Sequence, residues 1–166
     1  MPAPDATPAA KIVPCLWFDG QAEEAARFYV SLLPNSALGA IQPYPVETPG
    51  GKPGDTMTVE FTLAGQPYLA LNGGPFFTFT PAVSFIIECD DQAEIDRLWD
   101  AILNSGGSPM ECGWIADRYG LSWQIVPRKL MAMIKDKDAA KARRAMEAMM
   151  TMVKLDLPTL EAAFNG

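Results

Sequence analysis

An apolar, β-rich run over Ile12 to Phe18 gives way to helical spacing between Gln21 and Leu33, where Ala22, Ala25, Ala26, Tyr29, Leu32 and Leu33 share one face. Asp19 stands where an N-cap is expected, and Pro34-Asn35 stops the helix. Strands are predicted at about Ala37 to Val46, Thr56 to Leu63 and Gln66 to Asn72. The Gly- and Pro-rich loop Glu47 to Asp55 joins the first two, and the turn Ala64-Gly65 joins the last two. The order then repeats after a linker, Gly73 to Pro81. A strand from Ala82 to Cys89 leads into a helix from Gln92 to Asn104, followed by the breaker Gly106-Gly107. Short strands follow around Ser108 to Glu111 and Gly113 to Ala116, with a closing strand from Leu121 to Pro127.

The repetition extends to individual residues. Asp19, Gln21, Ala22, Glu23, Phe28 and Leu32 are answered by Asp90, Gln92, Ala93, Glu94, Trp99 and Leu103, each pair 71 residues apart. Gly65 and Gly120, which open the two closing strands, lie closer together than that, so the second copy is shorter between its helix and its closing strand. The first copy therefore keeps a long loop of its own, Glu47 to Asp55, placed at a sheet rim where a lid could act. After Pro127 the pattern is helical, near Lys129 to Lys135, Ala139 to Lys154 and Pro158 to Phe164. Met146, Met149, Met150 and Val153 form a stripe there that suits core packing or a subunit interface, with promiscuous docking as the alternative.

Composition narrows the classes. At 166 residues, 49% hydrophobic and 20% charged, the chain can bury a real core. No apolar run approaches the roughly 20 residues of a membrane span, and Met1 to Ala10 reads as an Ala/Pro leader rather than a signal peptide, so a cytoplasmic location away from membranes is expected. Cys15, Cys89 and Cys112 lie in strand-like contexts and suit free thiols. A net charge of −7 argues against a nucleic-acid partner. The basic residues between Arg128 and Lys154 are interrupted by Asp136, Asp138 and Glu147, which reads as a solvated helix face.

Three segments carry a resemblance: Leu16-Trp17-Phe18-Asp19-Gly20-Gln21-Ala22-Glu23-Glu24-Ala25, Leu71-Asn72-Gly73-Gly74-Pro75, and Cys112-Gly113-Trp114 followed by Asp117 and Gly120-Leu121-Ser122-Trp123-Gln124. With the repeated strand, helix and three strands, the chain resembles the vicinal oxygen chelate superfamily and, within it, the PhnB-like proteins often labelled 3-demethylubiquinone-9 3-methyltransferase. The resemblance implies an α+β fold of two βαβββ modules whose curled mixed sheets surround a cleft, usually in a homodimer. The division expected is a leader at 1–10, modules at 11–73 and 74–127, and a C-terminal helical extension at 128–166.

Strand alternation then nominates a polar cleft face holding Glu60, Tyr68, Asn72, Ser84, Ser122 and Gln124, with an ordinary solvent-facing sheet as the alternative. Phe76 and Trp114 are the nearby aromatics added to this ligand-binding set. Catalytic members of the superfamily hold a divalent ion with His and Glu. The corresponding positions fall at Pro14, Asn72, Ser84 and Gln124, none of them a histidine or carboxylate, so no metal is expected. No glycine-rich loop suited to S-adenosylmethionine follows the first strand, and no cofactor is expected. Without histidine, Ser and Cys nucleophiles lack their usual base, although Cys112 is the best thiol candidate. Glu60 is the best candidate for a general acid or base, with an ion pair to Arg118 or another cation as the alternative. The function expected is metal-free binding of a small aromatic or amphipathic molecule in the inter-module cleft. The alternative is an enzyme, either the methyltransferase of the family label or a glyoxalase-type lyase or isomerase.

Overall fold

The computed structural model describes residues 10–166, so nearly all of the expected leader lies outside the described residues. The chain forms two compact units, divided between Thr78 and Phe79. The first contains β1 (Cys15–Phe18), α1 (Ala22–Val30), β2 (Ala37–Pro43), β3 (Thr56–Leu63) and β4 (Gln66–Asn72), in a mixed sheet of order β1-β4-β3-β2. β1 runs parallel to β4, and the other neighbours are antiparallel. Ala22, Ala25, Ala26 and Tyr29 of α1 are buried, as are Val59, Phe61, Leu63 and Ala70 of the sheet. Burial of one helix stripe on one sheet face is the force that assembles this layer pair.

Several ends differ from the expectation. β1 begins at Cys15 rather than Ile12. Pro14 lacks an N–H to give to a ladder, though its carbonyl still accepts the Leu69 N–H at 2.9 Å. β2 ends at Pro43, short of Val46, because Tyr44 turns inward and bonds into the loop, its N–H meeting the Asp55 carbonyl at 2.8 Å. Asp19 is not the cap of α1. Gln21 occupies that position without a side-chain cap, and the Asn72 side chain meets the helix start instead.

The second unit contains β5 (Ser84–Cys89), α2 (Gln92–Asn104), β6 (Ser108–Pro109), β7 (Trp114–Ala116) and β8 (Ser122–Pro127) in the order β5-β8-β7-β6. The helices α3 (Arg128–Ile134), α4 (Ala139–Met149) and α5 (Leu157–Asn165) follow. Here the cap is local. Asp91 accepts the Glu94 N–H at 2.8 Å while Glu94 reaches back to the Asp90 N–H at 2.8 Å, so the two side chains satisfy backbone donors on both sides of the helix start. The three C-terminal helices enclose a core of Val126, Leu130, Met133, Ala145, Leu155, Leu157 and Leu160 and so belong to this unit. Met149 packs against that core, whereas Met150 is 65% exposed. Gln92 clasps the extension to α2, donating to the Leu155 carbonyl at 3.1 Å and accepting from the Leu157 N–H at 2.7 Å. Among the described residues, no helix is long and apolar enough to cross a membrane.

Candidate functional site

The β3–β4 hairpin decides which side chains meet in the first unit. Ala64 (φ 46°) and Gly65 (φ 85°) both adopt positive φ, the conformation a tight two-residue hairpin turn needs. Leu63 therefore stands opposite Gln66, and the register continues with Phe61 opposite Tyr68, Glu60 opposite Leu69, Val59 opposite Ala70 and Thr58 opposite Leu71. Paired residues share a face, so Glu60 and Thr58 share theirs with Leu69 and Leu71. Tyr68 lies with Phe61 on the helix-covered face, and Asn72 follows it there by alternation.

This corrects the expected grouping of Glu60 with Tyr68 and Asn72. The Tyr68 ring stacks on Phe61, with centroids 5.3 Å apart and planes at 19°, and Phe61 in turn lies 6.2 Å from the ring of Tyr29 in α1. Burial pushes the Tyr68 hydroxyl above its usual pKa. Asn72 is 5% exposed and committed to the fold: its Oδ1 accepts the Ala22 N–H at 2.9 Å, and its Nδ2 donates to the Thr56 carbonyl at 2.9 Å. Its own carbonyl accepts from the Tyr44 hydroxyl. Asn72 is thus a structural tie, with its polar atoms spent inside the unit.

On the opposite face a hollow of about 430 Å3 opens, lined by Val13, Ala37, Gly39, Glu60, Thr62, Pro67 and Leu69 and by the strands at Leu38, Phe61 and Tyr68. Ala37 pairs with Thr62, Thr62 with Pro67, and Glu60 with Leu69, which places these residues on one surface. The walls are mostly apolar, and Glu60 is their one charged residue. Gly39 helps to shape the hollow, since a Cβ there would come 3.1 Å from the Glu60 Cβ. The ladder shifts register between Leu38 and Ile41, beside Gly39. Alternation alone overlooked Val13, Gly39 and Leu69; a glycine inside a strand-like run was the available sign of an opening.

The loop from Glu47 to Asp55 is stitched down. Thr48 and Gly51 form a β-bridge, Gly54 donates to the Tyr44 carbonyl at 3.2 Å, and a Cβ on Gly74 would come 2.9 Å from the Pro49 carbonyl oxygen. Beside it, Phe76 is 63% exposed. Trp17 donates its indole N–H to the Gly74 carbonyl at 2.9 Å and packs edge-on against Phe77.

In the second unit the register brings four nominated residues to one face. Ser84 stands opposite Ser122, and Gln124 stands opposite both Ile86 and Trp114. Gln124 donates to the Ser84 Oγ at 2.9 Å. Ser122 is 1% exposed and, among the described residues, its Oγ has no hydrogen-bond partner. The nearby turn is governed by Asp117, which accepts from the N–H groups of Tyr119 and Leu121 and from the Trp123 indole, the last at 2.9 Å. The Arg118 guanidinium lies over the Tyr119 ring and donates to its hydroxyl at 2.8 Å.

The donor set does not fit a resident divalent ion. Among the described residues, no three His, Cys, Asp or Glu side chains gather in one place, and the chain has no histidine. Amide, hydroxyl and proline at the corresponding positions are weak ligands for such ions. Two of the thiols are held protonated: Cys89 is buried and pushed up to about 12 by burial and by the nearby Glu94 carboxylate, and partial burial also raises Cys15.

Against this geometry the comparisons are specific. Residues 10–126 match the family model described as 3-demethylubiquinone-9 3-methyltransferase. A solved structure described as a putative 3-demethylubiquinone-9 3-methyltransferase, PhnB protein, from Bacillus cereus is 33% identical over 71% of this chain and 99% of its own, with a TM-score of 0.64. Protein PA1353 from Pseudomonas aeruginosa is 25% identical over 69% of this chain and 95% of its own, with a TM-score of 0.55. A search of curated proteins found no match. The repeated module, the two mixed sheets and the matches together place the chain in the 3-demethylubiquinone-9 3-methyltransferase family, within the PhnB-like branch of the vicinal oxygen chelate superfamily.

Proposed function

We propose that this protein binds a small aromatic or amphipathic molecule on the open sheet face of its first unit and holds it without a metal ion. One observation carries the reading: a hollow of about 430 Å3 with apolar walls and a single carboxylate, Glu60. That volume falls within the roughly 300–1,000 Å3 usual for small-molecule sites, which pair apolar walls with a few polar groups. The family label implies methyl transfer, but the turn after β1 is the short Asp19-Gly20-Gln21 rather than a glycine-rich cradle for a nucleotide-like cofactor. A homodimer is part of the proposal by analogy with the superfamily.

Native mass spectrometry of freshly purified protein, set against a denatured sample, tests this directly. A non-covalent organic mass that is lost on denaturation, with no metal mass, is the expected result. A stoichiometric divalent ion in the native spectrum overturns the metal-free reading. Turnover of S-adenosylmethionine by the purified protein makes it an enzyme.

A further inference from the structure

The hollow contains one charge, and its sign points to a ligand class. Val13, Ala37, Gly39, Thr62 and Leu69 around Glu60 are neutral. Among the described residues no cation pairs with Glu60, whereas Glu23, Glu88, Glu147 and Glu161 are each held by an arginine or lysine at 2.5–2.7 Å. Glu60 is exposed on this apolar wall, so an incoming cation can reach its carboxylate without displacing a partner. Gly39 preserves the access, because a side chain there would press on the stem of Glu60.

We propose that the hollow selects molecules carrying a positively charged amine or guanidinium on an apolar body, with Glu60 as the residue that sets this specificity. The proposal rests on the binding role given above. The apolar body lies against Val13 and Leu69, and the charged group reaches the carboxylate in a charge-assisted hydrogen bond.

Three matched probes separate the ideas: 2-phenylethylamine, 2-phenylethanol and 3-phenylpropanoate, titrated into isotope-labelled protein at fixed low salt while the amide signals of β2, β3 and β4 are followed. The amine is expected to bind about threefold more tightly than the alcohol, with the carboxylate weakest. Glu60→Gln should remove the advantage of the amine and bring amine and alcohol level, and Gly39→Ala should weaken both. Equal wild-type affinities, or an amine preference that survives Glu60→Gln, overturn the charge selection and leave the binding role standing. If no probe moves the hollow's signals, the binding role itself falls.

Discussion

The Asn72 side-chain oxygen accepts the Ala22 N–H at 2.9 Å, so a residue at the end of β4 caps the helix that follows β1. Both groups are buried, and the Asn72 amide nitrogen also satisfies the Thr56 carbonyl. Asn72→Ala should therefore remove about 2–4 kcal/mol of unfolding free energy, the sum expected for buried groups left unpaired. Urea denaturation measures the loss, and amide exchange at Ala22 should quicken in the native state. An unchanged midpoint would show that Asn72 does not tie this layer together.

Trp123→Phe isolates one bond of the Asp117 turn. The ring stays in the core while the 2.9 Å bond from the indole to Asp117 disappears, and Asp117 is only 4% exposed. A loss of about 1.5–3 kcal/mol is expected for a hydrogen bond to a buried charged group. Thermal unfolding followed by circular dichroism reads it.

Asp96 and Lys154 form an ion pair at 2.8 Å between α2 and the segment before α5. The hydrogen bond from Lys154 holds the Asp96 carboxyl below its ordinary range, and the same bond raises Lys154. The Asp96 contribution to stability is complete above the unfolded carboxylate pKa and fades as pH falls through the lower folded value. The Lys154 contribution is complete below the unfolded lysine pKa and fades as pH rises through the higher folded value. Solvent reaches both side chains, so Lys154→Met should cost about 0.2–1 kcal/mol near neutrality, with the difference from wild type vanishing in acid. Denaturation midpoints followed from pH 7 down to about pH 2, below the folded carboxyl range, check this.

Cys89 is buried, with its pKa pushed up to about 12. A thiol reagent at pH 8 should label exposed Cys15, more slowly than a free thiol because burial raises its pKa too, and spare Cys89 until the protein unfolds. Mass spectrometry of labelled peptides, with and without denaturant, gives the answer.

Much of this fold was legible because the two helices carry full amphipathic stripes and the repeat places them identically. The face assignment in β4 was not, and the reason is specific. Tyr68 and Asn72 are polar residues in a strand, which suggested an open face, yet the two-residue turn at Ala64-Gly65 sets Glu60 against Leu69 and sends Tyr68 behind the sheet. Turn length outranked polarity. The Asn72 bond to Ala22 spans 50 positions and leaves no local trace in the sequence. In the second unit the same alternation did group Ser84, Ser122 and Gln124, with Trp114 joining their face by pairing with Gln124, because each strand there is pinned by an apolar neighbour of opposite parity, such as Trp123 or Ile125.

The clasp between α2 and the C-terminal segment bears on the order of events during synthesis. The partners for the internal contacts of the first unit have all been made by Thr78. Those of the second come later: the N–H groups of Cys112 and Gly113 await the carbonyls of Met152 and Val153, and Gln92 awaits Leu155 and Leu157. Its closing strand must therefore emerge and wait with Val126 uncovered until the helices arrive. For that interval a nascent chain offers an apolar strand to chaperones, and slowing translation after Pro127 would lengthen the exposure of the second unit.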